Sequence, residues 1–449
     1  MLAHSVLQYG DILPPQLRRT PTSEETSFRM SVDREAPLMG AATSARVNAV
    51  PGPLQERAVL ALRNRVATAN VAPFDIEFAG GSICRIPADD RRQPAAFVLR
   101  VLSPAGAAAI ANLDELAIGE AYMRGDLDVD GDFLACLDLR PIFSDRHPLL
   151  ALVRFAWPFL RGQRRSDMEW IPRHYDCGND FYFAFLDKWV GLYSQALYTA
   201  DDESLESAVR NKLEYIYDVC RLGPGSRILD VGAGWGALEK HIGAKGVDVT
   251  MMTLSHNQLA YLTDWSTRHG LPCQLNVVYE SIYTFDPGTQ FDAIVLLGVM
   301  EHLPAYRRLF ARFAHLLKPG GRVYMDFTAQ RKKYAANAFV YRYVFEGNHT
   351  PVYMPGLFKA ASQEGFEPIA LHNDRHSYFL TLQAWARNLE AARERVLPMV
   401  GESVYRLFRL YLWACAHHLQ RNGWLESYRV VFQRAVGRPS SEIGPYKPL

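Results

Sequence analysis

From about residue 205 the chain alternates short apolar runs with amphipathic stretches, and this alternation limits the fold more than any other feature of the sequence. "SRILDVGAG", "VDVTMMTL", "CQLNVVYES", "FDAIVLLGV" and "RVYMDFTA" read as strands. "ALEKHIGAKG", "HNQLAYLTDWSTRHG" and "PAYRRLFARFAHLLKPGG" read as the helices between them. Buried strands separated by helices require a parallel, doubly wound sheet, so the predicted class is α/β and Rossmann-like. Gly232, Gly234 and Gly236 fall at the first strand-to-helix turn. There a ligand can approach the backbone closely and meet the start of a helix.

That turn alone does not choose the ligand, because dinucleotide enzymes and methyltransferases both tighten it with glycine. The neighbouring residues weigh against a dinucleotide. The second strand ends in Thr253-Leu254-Ser255 rather than in an acid placed for a ribose, and the third ends in Tyr279-Glu280. Asp230, just before the glycines, suits the amino acid and sulfonium of S-adenosylmethionine better than a pyrophosphate. A turn that serves only packing remains the plain alternative.

Ahead of this region, residues 1–50 read as a mobile leader. Residues 51–145 read as a small α+β unit, with "LQERAVLALRNRVA" as helix and "FDIEFA" and "AAFVLRVL" as strands. Residues 146–170 form an amphipathic linker, and 171–449 the main domain. "HPLLALVRFAWPFLRGQRR" within the linker has two readings. It is a helix covering a domain, or an interfacial segment whose Arg161, Arg164 and Arg165 meet lipid phosphate. No apolar run is long enough to span a bilayer.

Charge and cysteine content exclude some classes. Lys and Arg total 49 against 48 Asp and Glu, a net charge of +1, so nucleic acid is not an expected partner. The 6 cysteines are widely spaced with no CxxC pair, which predicts neither a zinc site nor a disulfide framework and suits a reducing compartment.

The flanks of the glycine turn sharpen the reading. "HYDCGNDFYFAFLD", "YSQALY", "LDVGAGWGALEKHI", "TLSHNQ", "GVMEHLP", "LKPGGRVYMDF" and "YLWACAHHLQRNGWLESYRVVF" occur in one order. Together they resemble the cyclopropane-fatty-acyl-phospholipid synthase family, which includes the mycolic acid cyclopropane synthases. "ELAIGEAYMRGDLDVDGD" is similar to the amino-terminal domain of its longer members.

The resemblance implies methyl transfer from S-adenosylmethionine to a cis double bond of an acyl chain in membrane phospholipid. It places Tyr193, Ser194, Asp230, Gly232, Gly234, Thr253, Leu254, Gln258, Tyr279 and Glu280 at the cofactor. It further implies a cytoplasmic protein at the inner membrane face, working on unsaturated phospholipid acyl chains. A homodimer and a partner oxidoreductase acting on the product are additional expectations. Aromatic faces can stabilise the cation that methyl transfer leaves on the chain. Tyr341, Tyr343, Phe345, Tyr353, Tyr378, Phe379 and Trp385 are the candidates.

In cyclopropane-forming relatives a bound bicarbonate is the base, held by a Glu, a His, a Tyr and backbone near a Cys. This chain keeps Glu301 and Tyr378, but has Gln195 where the family has Cys and Asp326 where it has His. A second carboxylate near Glu301 would repel an anion. Bicarbonate is therefore a doubtful cofactor, and the expectation is that Asp326 or Glu301 is itself the base and that the product shifts to a methyl- or methylene-branched chain; the alternative is a cyclopropane-fatty-acyl-phospholipid synthase with a rearranged base site. The plain alternative for Asp326 is a solvated acid at a strand end. Cys415 is read as packing, and His302 and His174 as structural or cofactor-shaping. A lipid-binding protein on a methyltransferase scaffold is the alternative of another class.

Overall fold

The computed structural model describes residues 51–67, 69–88, 93–144, 177–330, 338–344, 349–422 and 425–436. The leader, the segment 147–165 with Arg161, Arg164 and Arg165, His174, Phe345 and the Tyr341 side chain lie outside the described residues.

Two sheets organise the chain, both within the unit Val47–Leu449. The smaller contains β1 (Phe74–Phe78), β2 (Ile83–Ile86), β3 (Phe97–Val101) and β4 (Leu127–Gly131) in the order β2-β1-β3-β4. Alternation in "FDIEF" buries Phe74, Ile76 and Phe78 on one face. The helix Pro53–Val66 contributes Ala58, Val59, Leu62 and Val66 to the same core.

The larger sheet contains β5 (Arg227–Val231), β6 (Asp248–Thr253), β7 (Leu275–Tyr279), β8 (Phe291–Leu297), β9 (Leu317–Ala329), β10 (Phe366–Asn373) and β11 (Glu426–Arg434). Its order is β10-β11-β9-β8-β5-β6-β7. The five strands read from the sequence run parallel, and the chain reverses direction of travel across the sheet between β5 and β8. That crevice, at the carboxyl ends of the strands, is where open α/β sheets hold ligands. The sheet is not wholly parallel, however. β11 inserts antiparallel between β9 and β10, pairing Asp326 with Arg429 and Thr328 with Ser427. Its alternating pattern carries no mark of which neighbour it will find.

The small sheet is tied to the large one through the helix Arg393–His417. Arg406 of this helix donates to the Leu127 carbonyl at 3.1 Å and pairs with Asp128 at 3.1 Å. Arg409 donates to the Tyr122 hydroxyl at 2.9 Å and pairs with Glu390 at 2.6 Å. His417 meets Asp138 at 2.9 Å. Tyr343 also belongs to this junction rather than to an acyl tunnel, since its hydroxyl donates to Glu120 at 2.8 Å. Among the described residues no helix is long and apolar enough to cross a membrane.

Candidate active site

A pocket opens at the crevice between β5 and β8. Its walls include Gly191 to Ser194, Val231 to Trp235, Met252 to Leu254, Gln258, Glu280 to Ile282, Leu297 to Val299, His302 and Leu303. The turn after β5 explains its shape. Gly232, Gly234 and Gly236 have φ of 84°, 58° and 76°, a region side chains disfavour. A Cβ on Gly232 would stand 2.6 Å from Val299, whereas one on Gly234 would meet nothing within 4 Å. The backbone therefore leaves room for a ligand directly against it.

Tyr193, Ser194, Gly232, Gly234, Thr253, Leu254, Gln258 and Glu280 all line this pocket. The Thr253 hydroxyl donates to Gln258 Oε1 at 2.8 Å, leaving the Gln258 amide nitrogen for another acceptor. Two of the expected cofactor residues lie elsewhere. Tyr279 stacks on His256 with centroids 4.4 Å apart. Asp230 is buried within β5 and faces the buried Glu239 carboxyl. Burial raises both carboxyls, and their mutual contact means that they share a proton. Asp230 thus shapes the turn from behind instead of lining the pocket.

The loop before the helix Leu205–Val219 forms the opposite wall. Asp187 organises it: its carboxylate accepts the backbone N–H groups of Trp189, Val190, Gly191 and Leu192 at 2.6 to 3.2 Å. Behind the wall an aromatic cluster excludes water. Tyr193 lies 5.2 Å from Trp385 and 6.2 Å from Trp235, and Trp385 meets the edge of Tyr378 at 6.4 Å. Tyr353 caps the helix Met354–Gln363 and Phe379 is core.

Below the pocket lie buried polar groups that include three of the expected catalytic residues, Asp326, Gln195 and Glu301, while the fourth, Tyr378, belongs to the aromatic cluster. Asp326 is 1% exposed, so it is not a solvated strand-end acid. It pairs with the equally buried Lys212 at 2.7 Å. Its other oxygen accepts the Gly298 N–H at 2.9 Å, and the Tyr324 hydroxyl approaches at 3.3 Å. Burial raises the Asp326 carboxyl and lowers the Lys212 ammonium, while each charge draws the other back. Such a pair is expensive to break, at about 3–5 kcal/mol for removing one partner. The cation also removes the simple like-charge argument against an anion near Asp326.

Gln195 is fully engaged as well. Its amide nitrogen donates to Asp374 at 3.0 Å, and its carbonyl accepts the Ser427 hydroxyl. Arg429 holds the other Asp374 oxygen at 2.9 Å, and burial lifts that carboxyl to about 6.

Glu301 differs from both. Oε1 accepts the Thr328 N–H at 2.6 Å and its hydroxyl at 2.7 Å, but Oε2 is buried with no partner among the described residues. Burial pushes its carboxyl up to about 7, against the Thr328 hydrogen bonds. It sits in the short turn Met300–His302, next to the pocket residues Val299 and His302. His302 also packs against His349 at 5.5 Å. Cys415 is among the free cysteines, and burial lifts its thiol to about 12, consistent with packing.

Sequence reading missed Lys212, Asp187, Asp374, Arg429 and Ser427. One signal was available for Lys212. It lies with Leu205, Ala208, Val209, Leu213 and Ile216 on the buried stripe of an amphipathic helix, where an unpaired cation is not tolerated.

Comparisons with known proteins agree with this geometry. The family model for mycolic acid cyclopropane synthetase matches residues 162–430. The cyclopropane-fatty-acyl-phospholipid synthase of Escherichia coli is 30% identical over 361 residues, covering 78% of this chain and 89% of that protein. A sphingolipid C9-methyltransferase of Komagataella phaffii is 28% identical, covering 70% of this chain and 69% of that protein. Among solved structures, the Mycobacterium tuberculosis cyclopropane synthase MmaA2 has a TM-score of 0.55 at 25% identity, covering 59% of this chain and 98% of its own. The synthase CmaA1 complexed with S-adenosylhomocysteine has a TM-score of 0.54 at 26% identity, covering 58% of this chain and 96% of its own. The glycine cradle and its polar rim fit S-adenosylmethionine as cofactor. The chain is an S-adenosylmethionine-dependent enzyme and belongs to the mycolic acid cyclopropane synthetase family.

Proposed function

We propose that this enzyme methylates the cis double bond of an unsaturated acyl chain in membrane phospholipid, with Glu301 as proton acceptor and a methyl- or methylene-branched chain as product. Phospholipid as the carrier is supported by the likeness to the Escherichia coli cyclopropane-fatty-acyl-phospholipid synthase. The observation that carries the choice of base is the contrast among the three buried groups. Asp326 and Gln195 have their oxygens occupied by protein donors, whereas Glu301 Oε2 has none among the described residues and titrates at about 7.

When bound, S-adenosylmethionine supplies an electrophilic methyl group, whose addition to an alkene leaves the second alkene carbon cationic. The pocket walls hold the reacting groups in line and keep water away. Tyr193, which lines the pocket, supplies the negative quadrupole that a cation favours, with Trp385 and Tyr378 packed behind it. Glu301 Oε2 then accepts a proton from a carbon beside the cation. The C–H pair becomes a new double bond, and the carboxylate becomes a carboxylic acid. A carboxyl poised near neutrality suits this transfer.

The test is mass spectrometry of phospholipid fatty acids. A host lacking its own cyclopropane synthase expresses this chain and is fed methyl-labelled methionine. Labelled methyl or methylene chains are expected. A labelled cyclopropane whose yield rises with added bicarbonate overturns the Glu301 assignment, and label confined to sphingolipid overturns the phospholipid assignment.

A further inference from the structure

The Lys212–Asp326 pair lies between the two facing walls of the cofactor pocket and touches both. On one side Lys212 Nζ donates to Ser194 Oγ at 2.7 Å and to the Gln195 carbonyl at 2.8 Å. On the other, Asp326 Oδ1 accepts the N–H of Gly298 at 2.9 Å. Ser194 and Gly298 both line the pocket, and a Cβ built on Gly298 would lie 3.5 Å from Ser194 Cβ. The walls thus come into van der Waals range where the ion pair spans them.

The three Nζ protons of Lys212 are all used, on Ser194, Gln195 and Asp326. That saturation leaves the ammonium no donor for a ligand. It also fixes a segment without regular secondary structure, 190–198, to the end of β8. The segment has further ties of its own, from Ala196 N–H to Thr381 and from Tyr198 N–H to Ser377. The Lys212 link is the one that reaches Asp326, and through it the Gly298 N–H at the end of β8.

We infer that Lys212 and Asp326 form a clasp that sets the separation of the two cofactor-binding walls, both acting as positioning residues. The inference rests on the cofactor pocket and is independent of which group accepts the substrate proton. The clasp gives Asp326 a task different from that of the family's histidine, and it makes cofactor affinity depend on a side chain that never meets the cofactor.

The test uses the full chain and S-adenosylhomocysteine as probe. Calorimetry gives the affinity, and amide hydrogen exchange reports on peptides covering 191–198 and 296–299. Lys212→Met is expected to weaken binding by about tenfold or more and to speed exchange in both peptides. The double variant Lys212→Met with Asp326→Asn removes the unpaired buried carboxylate, so its unfolding midpoint should recover while its affinity stays low. Recovery of affinity together with stability would show that the pair only supports the fold, and would overturn the proposal. Should Lys212→Met alone not fold, the double variant carries the test. Asp326→Asn by itself keeps a single side-chain acceptor oxygen, for Gly298 or for Lys212, and turns an amide N–H donor toward the other. It should weaken probe binding and speed exchange in both peptides as Lys212→Met does, and a loss of about tenfold with unchanged exchange would assign Asp326 a direct role and overturn the clasp.

Discussion

The two halves of the active site are built in different ways. The cofactor half is local: Gly232 to Trp235 follow β5 directly, Thr253 and Leu254 follow β6, and backbone conformation shapes the cradle. The base half is assembled over long separations. Gln195 meets Ser427 across 232 residues and Asp374 across 179. Lys212 meets Asp326 at 2.7 Å from a different layer of the fold. A local turn can be recognised from its residues, whereas a long-range pair exists only once the sheet order is known.

The sharpest way to separate the halves is Glu301→Gln. It should lower turnover by about 10²–10⁴-fold while S-adenosylhomocysteine binds unchanged by calorimetry. Equal loss of both would join the halves and remove Glu301 from the role of base. The reverse dissection is Gly232→Ala, which forces a side chain to φ 84° and against Val299. The strain is about 1–3 kcal/mol, and probe affinity should fall by about tenfold or more. Unaltered affinity would mean that the cradle tolerates a wider turn.

A smaller effect should appear in the pH profile. Glu301 must be ionised to accept a proton, and its carboxyl stands at about 7. Activity as kcat/KM should therefore rise with pH through about 7, and a limb at the ordinary carboxylate value would point to another base. The stability consequence has the opposite sign. Between the ordinary value and about 7 the folded chain keeps a proton that the unfolded chain has released. This group's contribution is thus present at low pH and lost as pH rises through that window, which urea titrations at several pH values can follow. Smallest of all, Ser427→Ala removes one buried donor to Gln195 and should cost about 1 kcal/mol of stability, with probe affinity unchanged.

The same division governs how much was legible in the sequence. The five parallel strands and their helices could be read because apolar runs of this length between amphipathic stretches have one economical packing. Eight residues that the resemblance implied at the cofactor line the pocket; Gly232, Gly234, Thr253, Leu254 and Glu280 stand at strand ends, whereas Tyr193 and Ser194 come from the loop before the helix Leu205–Val219. Asp230 was misplaced for a related reason. It closes the strand that carries the glycines, but alternation turns its side chain toward Glu239. Asp326 could be identified as unusual but not interpreted, since Lys212 stands 114 positions earlier on a helix. The antiparallel β11 was invisible for want of any local mark of its partner.

The position of β11 has a consequence for the order in which the molecule is made. Glu426–Arg434 is a central strand of the larger sheet although it is synthesised after every other strand of that sheet. Until it emerges, β9 and β10 have no common neighbour, and Ser427 and Arg429 cannot complete the surroundings of Gln195 and Asp374. Folding during translation proceeds from what has already been made. The surroundings of Gln195 and Asp374 are therefore complete only when the last strand of the sheet has paired with both of its neighbours.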